Sequence, residues 1–255
     1  MRCNSSGRRA RRALALVSSV VYIGAASHIL SANTTATWNG ASGLGGSGNW
    51  TDAASWSTGF VPENGSTIKV DVAIDGGKAA ASTVSILTGG SFQIDNLTID
   101  SNDALNLNNG SFLTLAADGV AATVTNNGQM NLTSTASLTD LIIAGSTSIS
   151  GTGTLQLSNN VNNRIYATGN QTLTIGSGQT IQGSGQIGVN QTTIVNNGVI
   201  DANASAGMTI NPGGFGFTNN NLVEASGAVL NLNLMVPFPA VSFVFEPSIG
   251  YEYMF

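Results

Sequence analysis

The carboxylates are the side chains of this sequence best equipped for chemistry. Asp95, Asp100, Asn102 and Asp103 stand close together, and Asp100, Asn102 and Asp103 could offer oxygens to a calcium ion at a chain corner. Paired acids are also the working groups of glycosidic cleavage. A solvated turn rich in Asx residues has the same composition. The one arginine left to assist, Arg164, lies far along the chain in Asn162-Asn163-Arg164-Ile165-Tyr166. It would meet the acids only across about three stacked coils, too far for joint action on one sugar bond. No residue is therefore assigned a catalytic role.

Other chemistries are narrowed by the residue types present. Cys3 and His28 are the only cysteine and histidine, and both fall in or beside the N-terminal leader described below. The mature chain then has no Ser-His-Asp or Cys-His mechanism, no thiolate or imidazole zinc site and no disulfide framework. Gly183-Ser184-Gly185-Gln186-Ile187-Gly188 satisfies Gly-x-Gly-x-x-Gly. A dinucleotide site, however, opens a helix after the second glycine, whereas Gln186, Ile187 and Val189 continue as a strand. No cofactor is expected. Trp38, Trp50 and Trp56 could stack on sugar rings as a carbohydrate contact, or else be buried in a cap.

The elements that must position these residues begin after a leader. Arg2, Arg8, Arg9, Arg11 and Arg12 precede an uncharged apolar stretch from Ala13 to Ala26. The stretch is shorter than the roughly 20 residues of a permanent membrane helix and is followed by small residues. Residues 1–32 therefore read as a signal peptide cleaved between Ala26 and Ala32, with an uncleaved anchor reaching Leu30 as the alternative. Its removal leaves Lys69, Lys78 and Arg164 against thirteen carboxylates. Such a chain has little with which to neutralise phosphates, so neither nucleic acid nor an anionic membrane surface is an expected partner, and no membrane insertion of the mature chain is expected.

Beyond the leader, apolar residues recur at spacing two: Phe92 and Ile94, Leu105 and Leu107, Leu113 and Leu115, Leu155 and Leu157, Leu173 and Ile175. This alternation marks strands with one face inside and one in water. Gly-Gly, Asn-Gly and Asn-Asn pairs between them suit tight corners. The pattern also repeats. Gly90-Ser91-Phe92 returns at Gly110-Ser111-Phe112 and more loosely at Gly128-Gln129-Met130; Asn196-Asn197-Gly198 returns at Asn219-Asn220-Asn221; and Ile149-Ser150-Gly151 returns at Ile181-Gln182-Gly183. Periods of this size are those of a solenoid. The expected fold is all-β, a single-domain parallel β-helix (β-solenoid), with an antiparallel β-sandwich as the alternative because Asn-Gly between alternating strands also signals hairpins. Residues 33–65 form a Trp- and Gly-rich N-terminal cap and 66–235 the repeats. The atypical tail 236–255 reads as a cap, a truncation or a frameshifted end. Only 8% of residues are charged, as expected where stacked like charges would repel and stacked amides would pair.

Trp38-Asn39-Gly40, Gly48-Asn49-Trp50 and Ser55-Trp56 precede Pro62 and the first Val/Ile strand, and Gly-Ser-Gly-Gln-Ile and Asn-Asn-Gly-Val-Ile coils follow. In this the chain resembles bacterial exported parallel β-helix repeat proteins of the autotransporter-passenger and haemagglutinin-like kind. The resemblance implies a secreted or cell-surface location and a parallel β-helix; it implies no activity. It breaks down after Met235-Val236-Pro237-Phe238-Pro239, where no Pro-Glu-Pro sorting signal follows. The expected function is a structural stalk or an adhesin-like binding surface without catalysis, its partners being surface glycans or other envelope components. The alternatives are a carbohydrate-active β-helix and a carbohydrate-binding module.

Overall fold

A computed structural model describes residues 33–74, 77–214 and 216–234. The expected signal peptide and the tail 236–255 lie outside these residues. Where the sequence alternates, the chain is extended. Along Ala104–Asn108, Leu105 and Leu107 are buried while Ala104, Asn106 and Asn108 stay half-exposed. The same in-out order governs Thr154–Leu157 and Thr172–Ile175, because leucine and isoleucine gain by leaving water and their polar neighbours do not.

Successive strands turn corners and enter three sheets in rotation. Ala122–Asn126 lies in the first, Gln129–Thr133 in the second and Thr139–Ile143 in the third. Each strand then pairs with its counterpart one coil on: Val124 with Ile149, Met130 with Leu155, Leu141 with Ile165. The first two sheets have eight strands and the third seven. Every ladder is parallel. Among the described residues seven full coils follow a partial first one, so the fold is a parallel β-solenoid and the antiparallel sandwich is excluded. Among the described residues one antiparallel contact exists, the isolated bridge between Trp38 and Trp56.

Stacking in register puts the apolar residues in columns. Val84, Leu105, Met130, Leu155, Ile181 and Ile200 follow one another through the second sheet, each at 0% exposure. Coil length is not constant. Ile181 pairs with Ile200, 19 residues on, whereas Leu113 pairs with Leu141, 28 residues on. Corners absorb the difference.

The repeats are partly reassigned. Asn196 pairs with Asn219 and Val199 with Leu222, as their likeness suggests. Ser91, however, pairs with Phe112 and not with Ser111. Gln129–Thr133 belongs to the second sheet and not to the third, which holds Ser91–Gln93. Ile149 pairs with Ile175 in the first sheet, while Ile181 lies in the second beside Leu155. The physical reason is common to these cases: all three faces obey the same alternation and all corners use the same Gly, Ser and Asn chemistry, so segments from different faces look alike.

The segment 33–65 is woven into the coil. Thr34–Thr37 pairs with Val70–Ile74 in the first sheet and Gly48–Asn49 with Thr83–Ile86 in the second. Trp38, Trp50 and Trp56 fill the interior at this end at 0%, 0% and 2% exposure. Trp56 meets Trp38 and Trp50 edge-on, with centroids 4.9 and 5.1 Å apart, a geometry suited to the ring quadrupoles. Their indole N–H groups donate to the carbonyls of Gly46, Pro62 and Trp50 at 2.8, 3.0 and 2.8 Å.

Neighbouring residues on one strand should therefore differ sharply under mutation. Leu155→Ala opens a cavity in the column and is expected to cost about 2–5 kcal/mol. Gln156→Ala, one residue away on the outer face, is expected to cost about 0.5–1.5 kcal/mol through its lost hydrogen bond. Urea unfolding of the two variants checks the order; equal costs would contradict the assigned faces.

Candidate functional site

The outer faces and corners hold the groups able to bind or react. Most carboxylates there bond from one coil, or from the N-terminal segment, to the next. Asp71 Oδ1 accepts from the Nδ2 groups of Asn33 and Asn96 at 2.8 and 2.7 Å. Asp95 accepts from Asn64 Nδ2 at 2.6 Å and Asn33 Nδ2 at 3.0 Å. Asp201 accepts from the Ser226 hydroxyl at 2.8 Å and its N–H at 3.1 Å.

Asp100, Asn102 and Asp103 do share one corner, between Leu97–Ile99 and Ala104–Asn108. Asn102 has φ 72°, a left-handed conformation that asparagine tolerates. Together with Lys78, Asn127 and Thr152 the three line an open cleft of about 600 Å³. The Asp103 carboxylate is buried and accepts the Ser82 N–H of the preceding coil at 2.7 Å. Its Oδ1 thus holds a backbone corner. Among the described residues no group of three or more His, Cys, Asp or Glu side chains is arranged to hold a metal ion.

The tryptophans are corrected as carbohydrate contacts. With all three indoles enclosed and their N–H groups bonded to the backbone, no ring face is open to a sugar. The Gly-x-Gly-x-x-Gly run is a corner followed by the strand Gly185–Ile187. Gly183, at φ 115°, sits where a Cβ would lie 1.9 Å from the Leu157 carbonyl oxygen, so close coil packing explains the glycine.

Sequence reasoning missed one constellation. Arg164 lies in register with Asp140 one coil earlier in the third sheet. Its Nε donates to Asp140 Oδ1 at 2.8 Å and a terminal nitrogen pairs with Oδ2. The guanidinium carbon stands 5.0 Å from the ring centroid of Tyr166, whose hydroxyl donates to Asp140 Oδ2 at 3.4 Å. The hydrogen bonds that Arg164 donates to Asp140 hold its pKa above the ordinary value; burial, and then the Asp140 charge, push the Tyr166 phenol up. The available signal was an Asp and an Arg one coil length apart, each directly before a core residue, Leu141 and Ile165.

No family model, curated protein or solved structure matches the chain. The arrangement itself offers polar grooves, amide ladders and an ion pair packed on an aromatic ring.

Two measurements follow. Asp140 is 1% exposed, so Arg164→Ala leaves a buried charge without its partner and is expected to cost about 3–5 kcal/mol, with the Asp140→Ala, Arg164→Ala double variant losing less. Chemical denaturation decides it. Burial raises the Asp95 pKa, outweighing the hydrogen bond from Asn64; the Asp118 charge adds to the rise and Lys69 opposes it. A raised folded pKa means that the folded state holds this proton more tightly than the unfolded chain does. The stability from Asp95 is thus present below the ordinary aspartate value of about 3.9 and is lost as pH rises through that value to the raised one. Asp95→Asn should flatten the slope of the urea midpoint against pH in that window; an unchanged slope would contradict the assignment.

Proposed function

We propose that the protein is exported and serves outside the cell as a rigid β-solenoid stalk with an adhesin-like binding surface, without catalysing a reaction. The observation that carries this reading is the use of its polar groups. Carboxylates and amides that could do chemistry join coil to coil instead: Asn131 to Asn106 at 2.7 Å, Gln182 to Gln156 at 2.6 Å, and Asp71, Asp95, Asp103 and Asp201 as described above. Such bonding makes a stiff support whose outer faces remain available to partners. The arginine-rich, then apolar, N-terminus supports export. The resemblance to exported β-helix repeat proteins supports a surface location, with surface glycans or other envelope components as the partners.

One observation favours the rival reading of a carbohydrate-active β-helix: Asp100 and Asp103 line the same corner cleft. Against it, Asp103 is held by Ser82 and Arg164 by Asp140, two coils further along the stack.

Fractionation of cells producing the full chain tests export: the mature protein is expected outside the cytoplasm and shortened at its N-terminus, and a chain lacking residues 1–32 should stay inside. Retention of the full chain in the cytoplasm would sink the proposal. Incubation with neutral and acidic polysaccharides tests the second half. No new reducing ends are expected, and cleavage abolished by Asp100→Ala would favour the enzyme.

A further inference from the structure

The outer face of the third sheet around Tyr166 differs from the other faces. On the second sheet, neighbouring amides bond to one another along the stack. On the third, Asn190, Asn211 and Asn233 use their backbone N–H groups in the coil, while their side-chain amides make no hydrogen bond among the described residues. They line an open hollow of about 310 Å³ with Leu234. Three amides with donor and acceptor capacity therefore face water side by side.

Tyr166 stands at the near end of this strip. Its ring is held by the Arg164 guanidinium and its hydroxyl by Asp140. A ring fixed in advance loses little conformational entropy when a ligand stacks on it. The next coil places Gly188, which has no side chain and whose N–H bonds the Ile165 carbonyl at 2.8 Å, in register beside Tyr166. A Cβ at Gly188 would lie 2.4 Å from the Asn211 carbonyl oxygen, so close coil packing explains the glycine. Asn211 and Asn233 follow one and two coils further on, each coil adding about 4.8 Å. The Arg164 side chain is 19% exposed.

From this geometry we infer that the Tyr166–Gly188–Asn211–Asn233 strip of the third sheet is a docking track for an uncharged polysaccharide chain. The chemistry selects that ligand. A sugar ring offers C–H faces to the tyrosine and hydroxyls to the amides. Asp140 neutralises the arginine at this face, and a chain with net charge −5 repels polyanions. The inference rests on the binding-surface reading above and names where that surface lies.

Isothermal titration of the full chain with soluble neutral polysaccharides (mixed-linkage glucan, galactomannan, xyloglucan) and acidic ones (alginate, polygalacturonate) tests it. At least one neutral polymer is expected to bind and the acidic ones not. Tyr166→Ala and Asn211→Ala are each expected to weaken binding by about 10-fold or more, and Tyr166→Phe, which keeps the ring, by about 3-fold or less. Gln156→Ala, on the second sheet, should leave binding unchanged, and circular dichroism separates lost binding from lost folding. Neutral binding untouched by Tyr166→Ala and Asn211→Ala would overturn the track and leave the binding-surface reading standing. Silence toward every neutral polymer, or binding of acidic ones alone, would overturn the track, and silence toward both classes would remove the glycan partner from the wider reading as well.

Discussion

Each strand lies about 4.8 Å from its own counterpart one coil away, and the outward residues are chosen under that restriction. A side chain at a given position must live beside the side chain at the same position of the next turn. Like charges at that spacing repel, while an amide both gives and receives a hydrogen bond and can pair indefinitely. Asn106 with Asn131 and Gln156 with Gln182 show the solution at 2.7 and 2.6 Å, and the buried Asn196 pairs with Asn219 in the same way at 2.7 Å. Most of the described carboxylates sit where an amide, a hydroxyl, a backbone N–H or the one described arginine meets them. Low charge and high amide content are consequences of the architecture before they are clues to a ligand.

The same restriction shapes the interior. Columns of Leu, Ile, Val and Met run unbroken because every turn contributes the same inward positions, and no cross-link is present among the described residues to assist them. At the N-terminal end of the described region the column gives way to Trp38, Trp50, Trp56 and Phe92. Large rings close the space where strands become short, and their N–H groups take backbone carbonyls that the ladders leave over. Burial answers the needs of that end and leaves no indole face of Trp38, Trp50 or Trp56 open to a ligand.

The parallel coil was readable in the sequence because alternation and recurrence are local properties of the chain. Leu105 and Leu107, or Asn196 and Asn219, announce face and turn without help from distant residues. Register was less readable. The Ile149 and Ile181 segments are similar in sequence yet belong to different sheets, since nothing in a five-residue pattern says which of three equivalent faces it builds. The site was the least readable part. Asp140, Arg164 and Tyr166 become neighbours only once the length of their coil is known, and the open amides of Asn190, Asn211 and Asn233 cannot be told from the bonded ones by residue type. The corner acids Asp100 and Asp103 are neighbours already in the sequence, but the engagement of Asp103 with Ser82 depends on the turn before it.

Turn lengths from 19 to 36 residues are accommodated at the corners while the faces keep their register. Growth by duplication is the evolutionary corollary. A gene segment encoding one winding can be copied in tandem, and the newcomer brings its own bonding surface above and below, so such a molecule can change its reach without re-inventing its interior.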